Sequence, residues 1–271
     1  MRWGVIGLAV VATASTAHAD REPVEALPVV ATIDGPTPVV VRGDLSIQQS
    51  RRAERIARAV YRDVSRRFLH ARDDTEHDPV DVCLFATERA YTRFVDQVVG
   101  DDDYSRMGFY LGSKRLVVAN LARGIGNLRH ELVHALIGDD YPRLPTWLNE
   151  GMGSLYGTAR PGKTGFRFLV NYRLRHLQAA MKADRLPTLD DLATAGRAEL
   201  YGNRGGTYYA LSRYVLLYME QRGTLDEFYE KMHRSDATRR AHLALLFEYV
   251  DYDDFVTWAK ALRYRKKRRR R

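Results

Sequence analysis

Apolar residues recur at helical spacing from Gln48 to about His70: Ala53, Ile56, Ala57, Val60, Tyr61, Val64 and Phe68 fall on one face, and arginines fill the other. An amphipathic helix with a solvated basic face is predicted there. Ahead of it, behind a proline-rich entry (Pro23, Pro28, Pro36, Pro38), Val29 to Ile33 and Val39 to Val41 read as short strands around the turn-former Asp34-Gly35-Pro36, able to pair as a hairpin. The apolar run Val80 to Phe85 predicts a buried strand and Glu88 to Val99 a helix. Gly108 to Leu111 and Leu116 to Leu121 read as two strands joined by Gly112-Ser113-Lys114.

Beyond Gly124 only helical patterns are found: Leu128 to Ile137, Thr146 to Tyr156, Phe168 to Ala183, Tyr208 to Gln221, Leu225 to His233, Arg239 to Tyr249 and Asp254 to Leu262. Strands first and helices afterwards make the α+β pattern, a small mixed sheet followed by a mainly helical half. No internal repeat is visible and no linker divides the chain, so residues 20 to 262 are expected to form one domain.

The first residues change the expected location. A short positive start (Met1-Arg2-Trp3-Gly4), an apolar run from Val5 to Ala14 and the small-residue end Ala17-His18-Ala19 describe a signal peptide, residues 1 to 19, cleaved after Ala19. A secreted or periplasmic protein is expected. Its 271 residues, less the leader, suffice for a core without disulfides. The only cysteine, Cys83, lies within an apolar strand and reads as a buried structural thiol.

The net charge of +9 suggests a nucleic-acid binder until it is localised. The last nine residues, Arg263 to Arg271, hold eight positive side chains and the leader holds Arg2, which leaves the body between them neutral. The expectation is a near-neutral monomeric domain carrying a basic tail, with no specific nucleic-acid site.

The chemistry centres on His130-Glu131-Leu132-Val133-His134. On a helix, two histidines four residues apart stand one turn above each other and can reach one cation, while the glutamate beside the first can reach a water on that cation. Gly138 reads as a helix stop, followed by the loop Asp139 to Pro145 and a new helical stretch, Thr146-Trp147-Leu148-Asn149-Glu150-Gly151. A turn between antiparallel helices would bring Glu150 over the histidines. Two histidines and a carboxylate are a common zinc set in hydrolytic enzymes, which makes Zn2+ the expected cofactor and His130, His134 and Glu150 its ligands.

With both segments present, the chain resembles the gluzincin metallopeptidases, the thermolysin-like zincins, and more closely the bacterial peptidase MA-like domains, in which a HExxH helix precedes a W-L-x-E-G segment. Gly108-Phe109-Tyr110, the strand Leu116 to Ala119, Leu186-Pro187-Thr188-Leu189 and the helix Tyr208 to Gly223 extend the resemblance over most of the mature chain. It implies a zincin-like catalytic domain with His130, His134 and Glu150 as ligands and Glu131 as the catalytic base. Two departures from thermolysin stand out: a gap of 15 residues between His134 and Glu150, and Ser154, not an aspartate, one turn after Glu150. A carboxylate at that point would orient the first histidine.

Zinc lowers the pKa of bound water and Glu131 is expected to take its proton, with an amide bond of a peptide or protein as the target. A second oxyanion donor is needed. The resemblance places a tyrosine at the start of the Gly223-terminated helix, which makes Tyr208 the candidate and Tyr209 the alternative, with plain core packing as the other role for either. The strand Leu116 to Leu121 is either an edge to which a substrate adds as another strand or a buried internal strand. A zinc-containing binding protein without turnover is the competing reading, docking on anionic envelope polymers or lipid through the basic tail; the presence of Glu131 speaks against it, because a structural site needs no base.

Overall fold

The computed structural model describes residues 22–69, 78–100, 104–235 and 238–264. The expected leader and all but Arg263 and Tyr264 of the basic tail lie outside them. The described residues form two compact units, the first running to Pro142 and including Lys163–Gly165, the second comprising Arg143–Gly162 and the described residues from Phe166 on. The chain is α+β: a small mixed sheet followed by helices. No described helix is long and apolar enough to cross a membrane.

In the first unit the elements are α1 (Glu22–Glu25), β1 (Val29–Ile33), β2 (Val39–Arg42), α2 (Ile47–Arg67), β3 (Val80–Phe85), α3 (Glu88–Val98), β4 (Gly108–Leu111), β5 (Leu116–Asn120) and α4 (Gly126–Asp140). The sheet order is β1-β2-β3-β5-β4. β1 and β2 pair antiparallel as the hairpin pattern predicts, β2–β3 and β3–β5 are parallel, and β4 returns antiparallel on β5. β5 is therefore internal, and all five of its residues are buried. The edge alternative for this strand is overturned: periodicity marks a strand as buried but cannot order it, and the edge beside it is β4.

α2 starts on a capping box, with Ser46 accepting from the Gln49 amide and the Gln49 side chain accepting from the Ser46 amide. Cys83, Phe85, Phe109, Leu111, Leu116 and Val118 gather with Tyr91, Phe94, Val95 and Val98 of α3 into one core cluster. The alternate positions of the strands face the other way, where α4 packs on β4 and β5 and against α2. α4 passes straight through Gly138 and ends at Asp140, so Gly138 is not the helix stop. A single glycine costs a helix only about 1 kcal/mol, and here Pro142 is the nearer breaker.

The second unit contains α5 (Thr146–Gly157), the two-residue strands β6 (Arg160–Pro161) and β7 (Phe166–Arg167), α6 (Leu174–Lys182), α7 (Leu189–Ala193), α8 (Arg197–Tyr201), α9 (Gly205–Arg222), α10 (Leu225–Arg234), α11 (Arg239–Tyr249) and α12 (Tyr252–Ala261). The β6–β7 pair corrects the expectation of helices alone beyond Gly124. The helix predicted over Phe168 to Ala183 begins only at Leu174, because Asn171 ties the preceding chain down: its side chain accepts from the Arg173 amide, and its own amide and carbonyl bind the Tyr214 hydroxyl.

α9 is the axis of this unit, buried almost all round, and α5 lies closest to it. At the contact, a Cβ on Gly151 would fall 2.7 Å from Leu216 Cδ1 and 3.2 Å from the Ser212 carbonyl. The glycine after Glu150 thus lets the two helices approach. Arg213, fully buried in α9, donates to the carbonyls of Ser154 and Leu169, the second at 2.6 Å. Burial holds its guanidinium below the usual range, to about 10.

Candidate metal centre

α4 carries His130-Glu131-Leu132-Val133-His134 as one continuous helical stretch. The two imidazole rings stand 4.6 Å apart between centroids and nearly perpendicular, one turn above each other as the spacing requires. Leu128, Leu132, Val133 and Leu136 are fully buried around them and fix the helix against the sheet. His134 and Glu131 are 7% and 6% exposed, so neither is a surface side chain.

Glu131 has a specific neighbour on β4. Gly108 has a φ of +151°, and a Cβ there would stand 2.7 Å from the Val118 carbonyl and 3.1 Å from Glu131 Cγ. The glycine before the aromatic pair Phe109-Tyr110 is thus the residue that gives the Glu131 side chain room. Asp139, eight residues further along the helix, is held by Arg115 at 2.6 Å. That ion pair occupies a carboxylate that could otherwise compete as a ligand.

Glu150 is 6% exposed, on α5 two residues after the buried Leu148, which with Trp147 packs the first turn of that helix. The Tyr201 hydroxyl donates to Glu150 Oε1 at 2.5 Å. Burial first and the Glu150 charge second raise the hydroxyls of both Tyr201 and Tyr209 above the usual phenol range, which keeps them protonated donors. The rings of Tyr201 and Tyr209 meet edge-on at 6.2 Å, and the Arg173 guanidinium covers the Tyr209 ring at 4.7 Å.

One ligand atom from each of His130, His134 and Glu150 lies within 4.8 Å of the others, so this group can hold a metal ion. Among the described residues it is the group of His, Cys and acidic side chains so arranged. Two imidazoles and a carboxylate, all inside a mostly buried environment, fit the donor set expected for zinc. The Tyr208 ring lies under the Arg204 guanidinium at 5.6 Å, and burial first and Asp191 second raise its hydroxyl above the usual phenol range.

Ser154 turns its carbonyl to Arg213. His242 is buried, and burial lowers its pKa; the His176 ring lies beside Gly206. Neither histidine joins the metal group. Tyr201 is the residue that sequence reasoning missed: it is one of 16 tyrosines, on a helix too short to show a period. No family model matches the sequence, and no curated protein matches it.

Proposed function

We propose that the chain is a zinc-dependent peptidase of the gluzincin kind, with a zincin-like catalytic fold, exported by its leader. The observation that carries the reading is the clustering of the His130, His134 and Glu150 ligand atoms within 4.8 Å, with the buried Glu131 adjacent to a ligand in sequence but outside the ligand group. A zinc ion bound there would supply Lewis acidity, polarising a carbonyl oxygen and lowering the pKa of water.

The chain supplies the rest. Glu131 accepts the proton of the attacking water at its carboxylate and delivers it to the leaving amide nitrogen, so one proton carrier serves both halves of the hydrolysis. Burial of Glu131, His134 and Glu150 lowers the local dielectric and strengthens each of these interactions. The oxyanion donor in this reading is Tyr208, in the first turn of α9, with its neighbour Tyr209 as the alternative. β4, paired only with β5 among the described residues and touching Glu131 at Gly108, is the edge to which an extended peptide would add. The basic tail would dock the enzyme on anionic envelope polymer or lipid, a contact read out by salt-sensitive retention.

Metal analysis of the purified mature protein, joined to a broad peptide-library digest, tests the reading. One zinc per chain is expected in the wild type and in Glu131→Gln, with chelator-sensitive cleavage falling at least about 10²-fold in the variant. Equal cleavage by both forms would place the base elsewhere. Zinc bound without cleavage of any peptide would favour the non-catalytic binder.

A further inference from the structure

We infer that Tyr201 is a positioning residue of the metal centre, holding Glu150 by one carboxylate oxygen so that the ion receives the other. The inference rests on the metal reading above. Its observation is the 2.5 Å hydrogen bond from the Tyr201 hydroxyl to Glu150 Oε1. Both residues belong to the second unit, where α8 packs on α5 and α9.

The local sequence fixes where Tyr201 stands. α8 is entered at Gly196, whose amide donates to Glu199 Oε2 at 2.9 Å, and Tyr201 is its last residue. The chain then turns at once. A Cβ on Gly202 would lie 2.3 Å from the Ala198 carbonyl, and one on Gly205 the same distance from the Leu200 carbonyl. These two glycines allow α8 to stop and α9 to begin within four residues, which holds the tyrosine at the end of a rigid corner. The Arg197 guanidinium over the Tyr201 ring at 5.2 Å and the Tyr209 ring at its edge complete the support.

A carboxylate ligand that is free to rotate can bind through either oxygen or both, and loses part of its binding energy to ordering. A phenol donating to one oxygen removes that freedom and leaves a single-oxygen ligand of set direction. Tyr201 touches neither substrate nor water in this account; it acts through Glu150.

The test is a double-mutant cycle on zinc affinity, measured by competition with a chromophoric chelator for the wild type, Tyr201→Phe, Glu150→Ala and the double variant. Tyr201→Phe is expected to weaken zinc by about 10–100-fold, the usual effect of removing a ligand's hydrogen-bond partner. In the Glu150→Ala background the same change should cost nothing further. Cobalt substitution adds an independent readout, because a reoriented carboxylate shifts the visible absorption of the bound ion. Wild-type affinity in Tyr201→Phe overturns the inference, and so does an equal loss in both backgrounds, which would mean that the tyrosine acts through packing. Full affinity in Glu150→Ala would instead bring down the three-ligand reading, and the inference with it.

Discussion

Replacing Gly108 with alanine should damage the protein twice, once through its backbone and once through Glu131. A non-glycine residue at a φ of +151° is strained by about 1–3 kcal/mol. The new Cβ would meet the Val118 carbonyl at 2.7 Å and Glu131 Cγ at 3.1 Å. Gly108 sits opposite Ala119 in the β4–β5 ladder, so the carbonyl is fixed by the sheet and Glu131 is the group that must move. Overpacking of this kind adds about 1–3 kcal/mol, for a combined loss of roughly 2–6 kcal/mol. Gly124 separates the two parts: its φ is +126° and nothing lies within 4 Å of a Cβ there, so Gly124→Ala should show the backbone cost alone. Urea denaturation of both variants without metal reads the difference from the midpoints, provided the slope is unchanged. Zinc should still bind to Gly108→Ala while hydrolysis drops, because the displaced group is not a ligand. A Gly108→Ala protein within about 0.5 kcal/mol of wild type, the range of an ordinary surface change, would refute the reasoning. A loss no greater than that of Gly124→Ala would refute the steric half.

Further outcomes follow from the same geometry. His130→Ala or His134→Ala should abolish stoichiometric zinc in metal analysis, and Glu150→Ala should weaken it, since each removes one of three protein donors. Arg213→Met should lower stability by about 1–3 kcal/mol for each of the two buried carbonyls it strands, measured by denaturation. The Cys83 thiol, raised by burial and then by Asp81, should resist a thiol reagent at pH 8 in the native protein and react once it is unfolded. Glu88 is drawn down to about 2 by the Arg123 hydrogen bonds and then by Asn120. Its folded pKa is depressed, so its stabilisation is complete above the ordinary carboxylate value of about 4.3 and disappears as pH falls through about 2; Glu88→Gln should flatten the acid limb of the stability profile in that window.

Most elements were legible because their apolar residues keep a period. Ala53, Ala57, Val60, Tyr61 and Val64 are the buried side of α2, as their spacing indicates. The metal group was legible for a related reason: the spacing of His130 and His134 has meaning only on a helix, and Trp147-Leu148 announce the burial of the turn that carries Glu150. What escaped depends on partners distant in sequence. Strand order leaves no mark on β5 itself, and the start of α6 is set by a bond between Asn171 and Tyr214, 43 residues apart. Tyr201 meets Glu150 across 51 residues, from a five-residue helix whose local signals are two glycines and a capping glutamate. α4 runs on through Gly138 to Asp140 because tertiary packing carries the helix past a glycine that local propensity marks as a stop.

The contrast between α2 and α4 has a consequence for how this protein tolerates change. α2 alternates buried and open positions, so a saturation-mutagenesis profile along it should rise and fall every three to four residues, with Arg51, Arg55 and Arg62 among the permissive sites. From Asn127 to Ile137 every residue of α4 is buried except the half-exposed His130. A tolerance profile there should be flat and low, with no helical rhythm at all, and drift in a lineage would be confined to the outside of the first helix while the second stayed almost frozen.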